Sequence, residues 1–142
     1  MKVVRDILKV KGSDVWCVAP DATVFDALQR MAEKEVGALV VTEADKVVGL
    51  ISERDYARKV ILHGRASPTT LVKEIMTSSV VYIRLDQPID ECMALMTAKR
   101  VRHLPVIEDD KLVGLISIGD LVKSIIADQQ FIIEQLERYI KG

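Results

Sequence analysis

Two stretches of the sequence share the pattern Gly-x-x-Ser-x-x-Asp, over residues 49–55 and 114–120. In each, an apolar run of strand length ends at the serine and an amphipathic segment follows it. The exposed N–H groups at a helix start attract phosphate, and a carboxylate in the first turn can accept two hydrogen bonds from a ribose diol. The same pattern is also a capping box that needs no ligand. The motif alone therefore leaves a nucleotide site and a simple helix cap as alternatives.

Basic residues near these motifs extend the possible chemistry. Arg102 and His103 open an apolar strand, where charge is costly unless it is paired, so either an anion or a local carboxylate is expected beside them. Arg54 and Arg58 are four residues apart and share one helix face. They can contact phosphates in a cleft, or they can remain solvated with neighbouring carboxylates as partners.

Composition narrows the class of protein. The chain has 142 residues, 49% of them hydrophobic and 29% charged, which predicts a globular fold with a sizeable core. A formal net charge of −1 argues against nucleic acid or an anionic membrane as the main partner. Two cysteines are too few for a disulfide framework, and no apolar run is long enough to span a membrane. The charged start at residues 1–6 does not resemble a signal peptide, so we expect a cytoplasmic location.

The chain repeats itself. Residues 21–56 align with 86–121 without a gap, and 15 of the 36 positions are identical. Residues 4–8 resemble 72–76 at a larger spacing, which puts three extra residues of the first copy between Lys9 and Trp16. Units this small have marginal cores, so we expect the two copies to pack together as one pseudo-two-fold module.

Each copy predicts the element order β-α-β-β-α, and the fold class is therefore mixed α/β (α+β) with an extended C-terminal helix. Strands are expected over Val15–Val18 and Val80–Leu85, and a helix is expected to begin at Thr23. The predicted boundaries are 1–66 for the first repeat, 67–127 for the second and 128–142 for a helical tail.

Each repeat resembles the CBS domain, named after cystathionine β-synthase. The residues that carry the resemblance are 36–41 and 49–55 in the first copy and 101–106 and 114–120 in the second. Two such units in tandem form a Bateman module, and with no catalytic domain attached the chain looks like the stand-alone bacterial CBS-pair proteins. The resemblance implies that the aspartates hold ribose hydroxyls, that the basic pair reaches phosphates, and that Val36 and Val101 lie beside the base.

The residues and the resemblance together predict a ligand-binding set. It consists of Val36, Gly37, Ala38, Ser52, Arg54, Asp55 and Arg58 in the first repeat, and of Val101, Arg102, His103, Pro105, Ser117, Gly119 and Asp120 in the second. The two halves are chemically unequal, because Gly37-Ala38 replaces the basic pair in the first copy and Gly119 replaces Arg54 in the second. We expect Asp120→Ala to weaken nucleotide binding.

The expected function is that of an energy or nucleotide sensor. AMP is the leading ligand, with ADP, ATP, NAD and S-adenosylmethionine as further candidates, and the regulated protein target is not identified by the sequence. The alternative is a structural dimerisation protein with degenerate, empty pockets. The chain carries no catalytic motif, and its two histidines lack metal-ligand spacing, so neither an enzyme nor a metal site is expected. An apolar stripe in the tail predicts packing on its own module or on the partner in a homodimer.

Overall fold

Two α+β repeats and a long C-terminal helix make up the fold, which confirms the predicted fold class. The computed structural model describes residues 2–141, so the end residues Met1 and Gly142 of the outer predicted segments lie outside the described part. The helices are α1 (Val4–Lys11), α2 (Val24–Lys34), α3 (Glu53–Tyr56), which continues as a π-helical segment (Ala57–Ile61), α4 (Val72–Ile75), α5 (Ile89–Lys99) and α6 (Ile118–Lys141). The strands are β1 (Cys17–Val18), β2 (Ala38–Glu43), β3 (Lys46–Ser52), β4 (His103–Glu108) and β5 (Lys111–Ser117).

A β-hairpin forms the centre of each repeat. β2 pairs with β3 and β4 pairs with β5, both antiparallel, and β1 adds a parallel strand to the first hairpin. Both hairpin turns hold two residues with positive φ, Ala44-Asp45 and Asp109-Asp110, as a tight turn between twisted strands requires. Each hairpin leads directly into a helix, so Ser52 and Ser117 lie at strand-to-helix junctions.

The entering strand of the second repeat is shorter than predicted. Over Val80–Leu85 only Ile83 pairs, in a single parallel bridge to Val106, whereas β1 forms a short strand in the first repeat. In the first repeat the N–H of Val40 donates to the carbonyl of Trp16 at 3.1 Å. The corresponding residue of the second repeat is Pro105, which has no N–H to donate. One ladder hydrogen bond is thereby lost.

The leading helix of each repeat packs into the core of the other. Val4 and Leu8 of α1 are buried in the core that contains Leu104 and Ile116, in the second repeat. In the same way α4 lies, through Val72 and Ile75, in the core that contains Met31 and Leu39, in the first repeat. The repeats are therefore consecutive in sequence but interlocked in space, and neither core is complete without a segment of the other repeat.

Two strand glycines allow this exchange. A Cβ at Gly49 would lie 2.6 Å from Sδ of Met76 and 2.9 Å from the carbonyl oxygen of Thr77. A Cβ at Gly114 would lie 2.7 Å from Cδ1 of Leu8. The glycines thus provide space for the exchanged segments, which explains their position inside strands.

We expect Gly49→Ala to destabilise the protein more than Gly114→Ala. At Gly49 the added methyl group meets a backbone carbonyl that cannot rotate away, whereas at Gly114 it meets only a leucine side chain that can adjust. Overpacking of this kind costs about 1–3 kcal/mol. Urea unfolding of both variants measures the difference. Equal or reversed losses would show that the Thr77 carbonyl does not limit the space.

Candidate functional site

A cavity of about 790 Å³ lies between the two repeats. The first repeat contributes Gly37, Ala38, Ser52, Arg54, Asp55 and Arg58 to its wall. The second repeat contributes Val101, Arg102 and His103. The structure thus brings residues predicted from both repeats to one place, with the Asp55 motif on one side and the Arg102-His103 pair on the other.

The other predicted site residues do not line this cavity. Pro105 is buried within β4, and Val36 packs against the first core. Ser117, Gly119 and Asp120 lie at the junction of β5 and α6, outside the cavity wall. The cavity is therefore asymmetric, because it includes the aspartate motif of the first repeat and not that of the second.

One face of α5 was missed as part of the site. Four residues on this face and at the end of the helix line the cavity. They are Met93 and, three, four and seven positions further along the chain, Met96, Thr97 and Arg100. This helical spacing was visible in the sequence, but apolar residues at such spacing also form a core face. Met96 does both, since it is buried in the second core and also borders the cavity.

Asp55 forms the capping box that the motif allows. Its Oδ2 accepts hydrogen bonds from the backbone N–H of Ser52 at 2.9 Å and from the Ser52 hydroxyl at 3.2 Å. Its Oδ1 lies 3.3 Å from Nζ of Lys59, a side chain that is 44% exposed. The cap and a ligand role are compatible, because Asp55 also borders the cavity and an exposed lysine is its only ionic partner in residues 2–141.

Positive charge from both repeats converges on the cavity. Its wall includes Arg54, Arg58, Arg100 and Arg102, and none of these four forms a salt bridge within 4.0 Å in the part of the chain that the structure describes. The charge of Arg102, followed by that of Arg58, lowers the pKa of Arg54. Arginines that crowd one another without carboxylate partners are typical of a site for anionic groups.

His103 contributes less charge than the sequence pattern indicates. Burial, and next the positive charge of Lys11, lower the pKa of its imidazole below 6.5. The ring is therefore mostly neutral at pH 7, and Arg102 carries the charge of the predicted basic pair.

The equivalent carboxylate of the second repeat has a different partner. Oδ2 of Asp120 accepts the N–H of Ser117 at 2.8 Å and lies 2.6 Å from Nζ of Lys11, at the end of α1. The same ammonium donates to the carbonyl of Leu115 at 2.7 Å. Burial alone would raise the pKa of Asp120, but the hydrogen bonds from Lys11 and Ser117 outweigh it and lower that pKa.

Cys92 is a core residue. It is fully buried in the second core, and burial raises the pKa of its thiol to about 11. The thiol is protonated at neutral pH and is no nucleophile. Within residues 2–141 no cluster of three or more histidine, cysteine, aspartate or glutamate side chains could hold a metal ion. No helix in that range is long and apolar enough to cross a membrane.

Two interlocked α+β repeats with a charged cavity between them make up one tandem module. The CBS domain family profile matches residues 4–62 and 72–127, and the chain belongs to this family. A CBS-domain protein of known structure from Burkholderia ambifaria MC40-6 is 54% identical with a TM-score of 0.87, over 90% of this chain and 96% of that one.

Two further relatives extend the comparison. The mitochondrial CBS domain-containing protein CBSX3 of Arabidopsis thaliana is 38% identical over 98% of this chain and 72% of its own length. The CBS domain pair of protein MJ0100, solved in complex with 5′-methylthioadenosine and S-adenosyl-L-methionine, has a TM-score of 0.81 over 90% of this chain and 98% of that one. Its identity is 22%, so it supports the fold alone.

Proposed function

We propose that this protein is a cytoplasmic regulatory module that binds an adenosine nucleotide in the cavity between its CBS domains. One observation carries the proposal: the carboxylate of Asp55, in the first turn of α3, borders the same cavity as arginines from both repeats. A carboxylate suits a ribose diol, and clustered guanidinium groups suit phosphate. Binding at the repeat interface would change the geometry of the module, which is how a sensor transmits occupancy to its target.

The charge of the cavity separates the candidate ligands. Arg54, Arg58 and Arg102 favour AMP, ADP, ATP or NAD, all of which carry phosphate. S-adenosylmethionine carries a positive sulfonium and no phosphate, and would add a further positive charge to this cluster. We therefore place AMP and its phosphorylated relatives ahead of S-adenosylmethionine for this chain.

The competing function is that of a structural dimerisation protein with empty pockets. It is favoured by the carboxylate of Asp55, whose two oxygens already have partners in Ser52 and Lys59. Calorimetric titration of nucleotide-stripped protein with adenosine, AMP, ATP, NAD and S-adenosylmethionine separates the two functions. Binding of the phosphorylated compounds supports the sensor, and no binding to any of them supports the structural protein. Chromatography of the titrated mixture tests for turnover, which would indicate an enzyme.

We expect Arg102→Ala to weaken AMP binding by roughly 10- to 100-fold and adenosine binding much less. A hydrogen bond to a charged group contributes about 1.5–3 kcal/mol. Adenosine does not make this contact, because it has no phosphate. Titration of both ligands measures the difference, with Arg84→Ala as the control because Arg84 is an exposed arginine outside the cavity wall. An equal loss for both ligands would show that Arg102 acts through folding or base positioning.

We also propose that the module is a homodimer that buries the end of α6. Beyond Ile125 this helix leaves the second core, and several of its apolar side chains are exposed in the single chain, among them Phe131, Ile132, Leu136 and Ile140. The same segment carries both acidic and basic residues, Glu134, Glu137, Arg138 and Lys141. A second copy related by a two-fold axis presents complementary charges beside the same apolar stripe, which favours self-association.

A further inference from the structure

The two exchanged helices, α1 and α4, differ in length at the point where the two copies have different numbers of residues. Leu8 of α1 packs against Gly114, and Met76, just after α4, packs against Gly49, so the two segments occupy equivalent places. α4 ends after one turn, whereas α1 continues to Lys11. The three residues by which the first copy is longer lie in the same stretch, between Lys9 and Trp16. The irregularity of the repeat therefore coincides with an additional helical turn.

The additional turn places an ammonium group on the second motif. Nζ of Lys11 lies 2.6 Å from Oδ2 of Asp120 and 2.7 Å from the carbonyl oxygen of Leu115. Leu115 corresponds to Leu50, which lines the cavity between the repeats and pairs there with the backbone of Thr77. Lys11 thus occupies, in the second repeat, a position that corresponds to the wall of the open cavity.

At the spacing of the exchanged segments, Lys11 corresponds to Ser79. Serine is uncharged and has a short side chain, and Asp55 is paired instead with Lys59 of the helical segment that follows it. The two aspartates therefore pair with lysines from different parts of the chain, Asp55 with a near neighbour in sequence and Asp120 with a distant residue. Asp120 is held by a residue 109 positions away in sequence, and its side chain is 16% exposed.

We propose that Lys11 is a built-in occupant of the place beside Asp120 that corresponds to the cavity beside Asp55, and that it restricts each chain to one adenosine nucleotide, bound at Asp55. The identity of the ligand rests on the proposed function. A ribose diol and an ammonium group both donate hydrogen bonds to a carboxylate, so they compete for the same oxygen. The one-sided cavity, bordered by Ser52 and Asp55 but not by Ser117 or Asp120, agrees with a place beside Asp120 that Lys11 already fills.

The test is the binding stoichiometry of AMP and of ATP, measured by titration calorimetry on the full chain. Wild-type protein should bind one nucleotide per chain, and Lys11→Ala should bind two. Lys11→Gln, whose side chain is one atom shorter and uncharged, should also bind two, and Lys11→Arg should remain at one. Lys9→Ala is the matched control, because Lys9 is an exposed lysine in the last turn of the same helix. Circular dichroism melting checks that every variant is folded.

The measured stoichiometries either support or overturn the role of Lys11. Two nucleotides per wild-type chain, or one per chain in both Lys11→Ala and Lys11→Gln, overturns it. Weaker AMP binding in these variants at unchanged stoichiometry also overturns it, because Lys11 would then be a phosphate contact. If wild-type protein binds no nucleotide, the proposed function fails, and the Lys11 variants remain decisive. A gain of one site on removal of the ammonium supports the built-in occupant, and no gain overturns it.

Discussion

Replacing Asp55 with alanine should weaken AMP binding about a hundredfold and leave the protein folded. A carboxylate that holds a ribose diol makes two hydrogen bonds to a charged group, each worth about 1.5–3 kcal/mol. Loss of roughly 3 kcal/mol corresponds to the hundredfold change. The cap that Asp55 provides to the N–H of Ser52 is lost as well, at a cost of about 1 kcal/mol in the free energy of unfolding.

A matched variant separates these two effects. Asp6 caps α1 in the same way, since its Oδ2 accepts the N–H of Val3 at 2.9 Å, but Asp6 does not line the cavity. Asp6→Ala should therefore lower the free energy of unfolding by a similar amount without changing the affinity for AMP. Calorimetry gives the affinities, and urea unfolding gives the stabilities. An Asp55→Ala protein that binds AMP with normal affinity but has a lower free energy of unfolding would show that the motif is only a helix cap.

The sequence was informative wherever a structure depends on neighbours in the chain. Thr23 caps α2 by accepting the N–H of Asp26 at 3.1 Å, as the predicted helix start requires. The hairpin turns fall on the polar segments between apolar runs, and both Gly-x-x-Ser-x-x-Asp stretches form strand-to-helix junctions. These features are set by local hydrogen bonding and by the alternation of apolar side chains, so that a single sequence suffices to predict them.

The sequence was less informative about contacts between distant segments. The sequence predicted two chemically unequal sites, but it did not predict the pairing of Lys11 with Asp120, because no local pattern connects these residues. The predicted strand over Val80–Leu85 failed because of Pro105, which belongs to the neighbouring strand. Both cases depend on which segments become neighbours in space, and the exchange of α1 and α4 between the cores determines that.

The asymmetry has a consequence for how a duplicated module can respond to a ligand. Two equal sites would both respond to the same ligand concentration, whereas the proposed site at Asp55, with Lys11 on Asp120, would make one repeat the sensor and the other its support. Arg102 of the second repeat still borders the open cavity, so a phosphate there would contact both repeats. A ligand held by both repeats has the differential contacts that are needed to shift their relative geometry.

Truncation after Ala127 should convert a homodimer into monomers at micromolar concentration or lower its melting temperature sharply. The deleted segment is about 21 Å of helix whose side chains Ile132, Leu136 and Ile140 are 56%, 56% and 81% exposed in the single chain. Each aliphatic side chain buried in a dimer contributes about 1.5–3 kcal/mol, so loss of several is enough to dissociate a typical interface.

Point variants in the full-length chain distinguish burial from a mere change in length. Ile132→Ser together with Leu136→Ser should reproduce the effect of truncation, whereas Gln129→Ser together with Gln130→Ser, on the same exposed segment, should not. Light scattering and thermal melting of these three variants and of the wild-type protein provide the measurement. A monomeric wild-type protein would refute the dimer. A dimeric wild-type protein whose truncated form keeps its association and melting temperature would instead show that two copies meet through other helices.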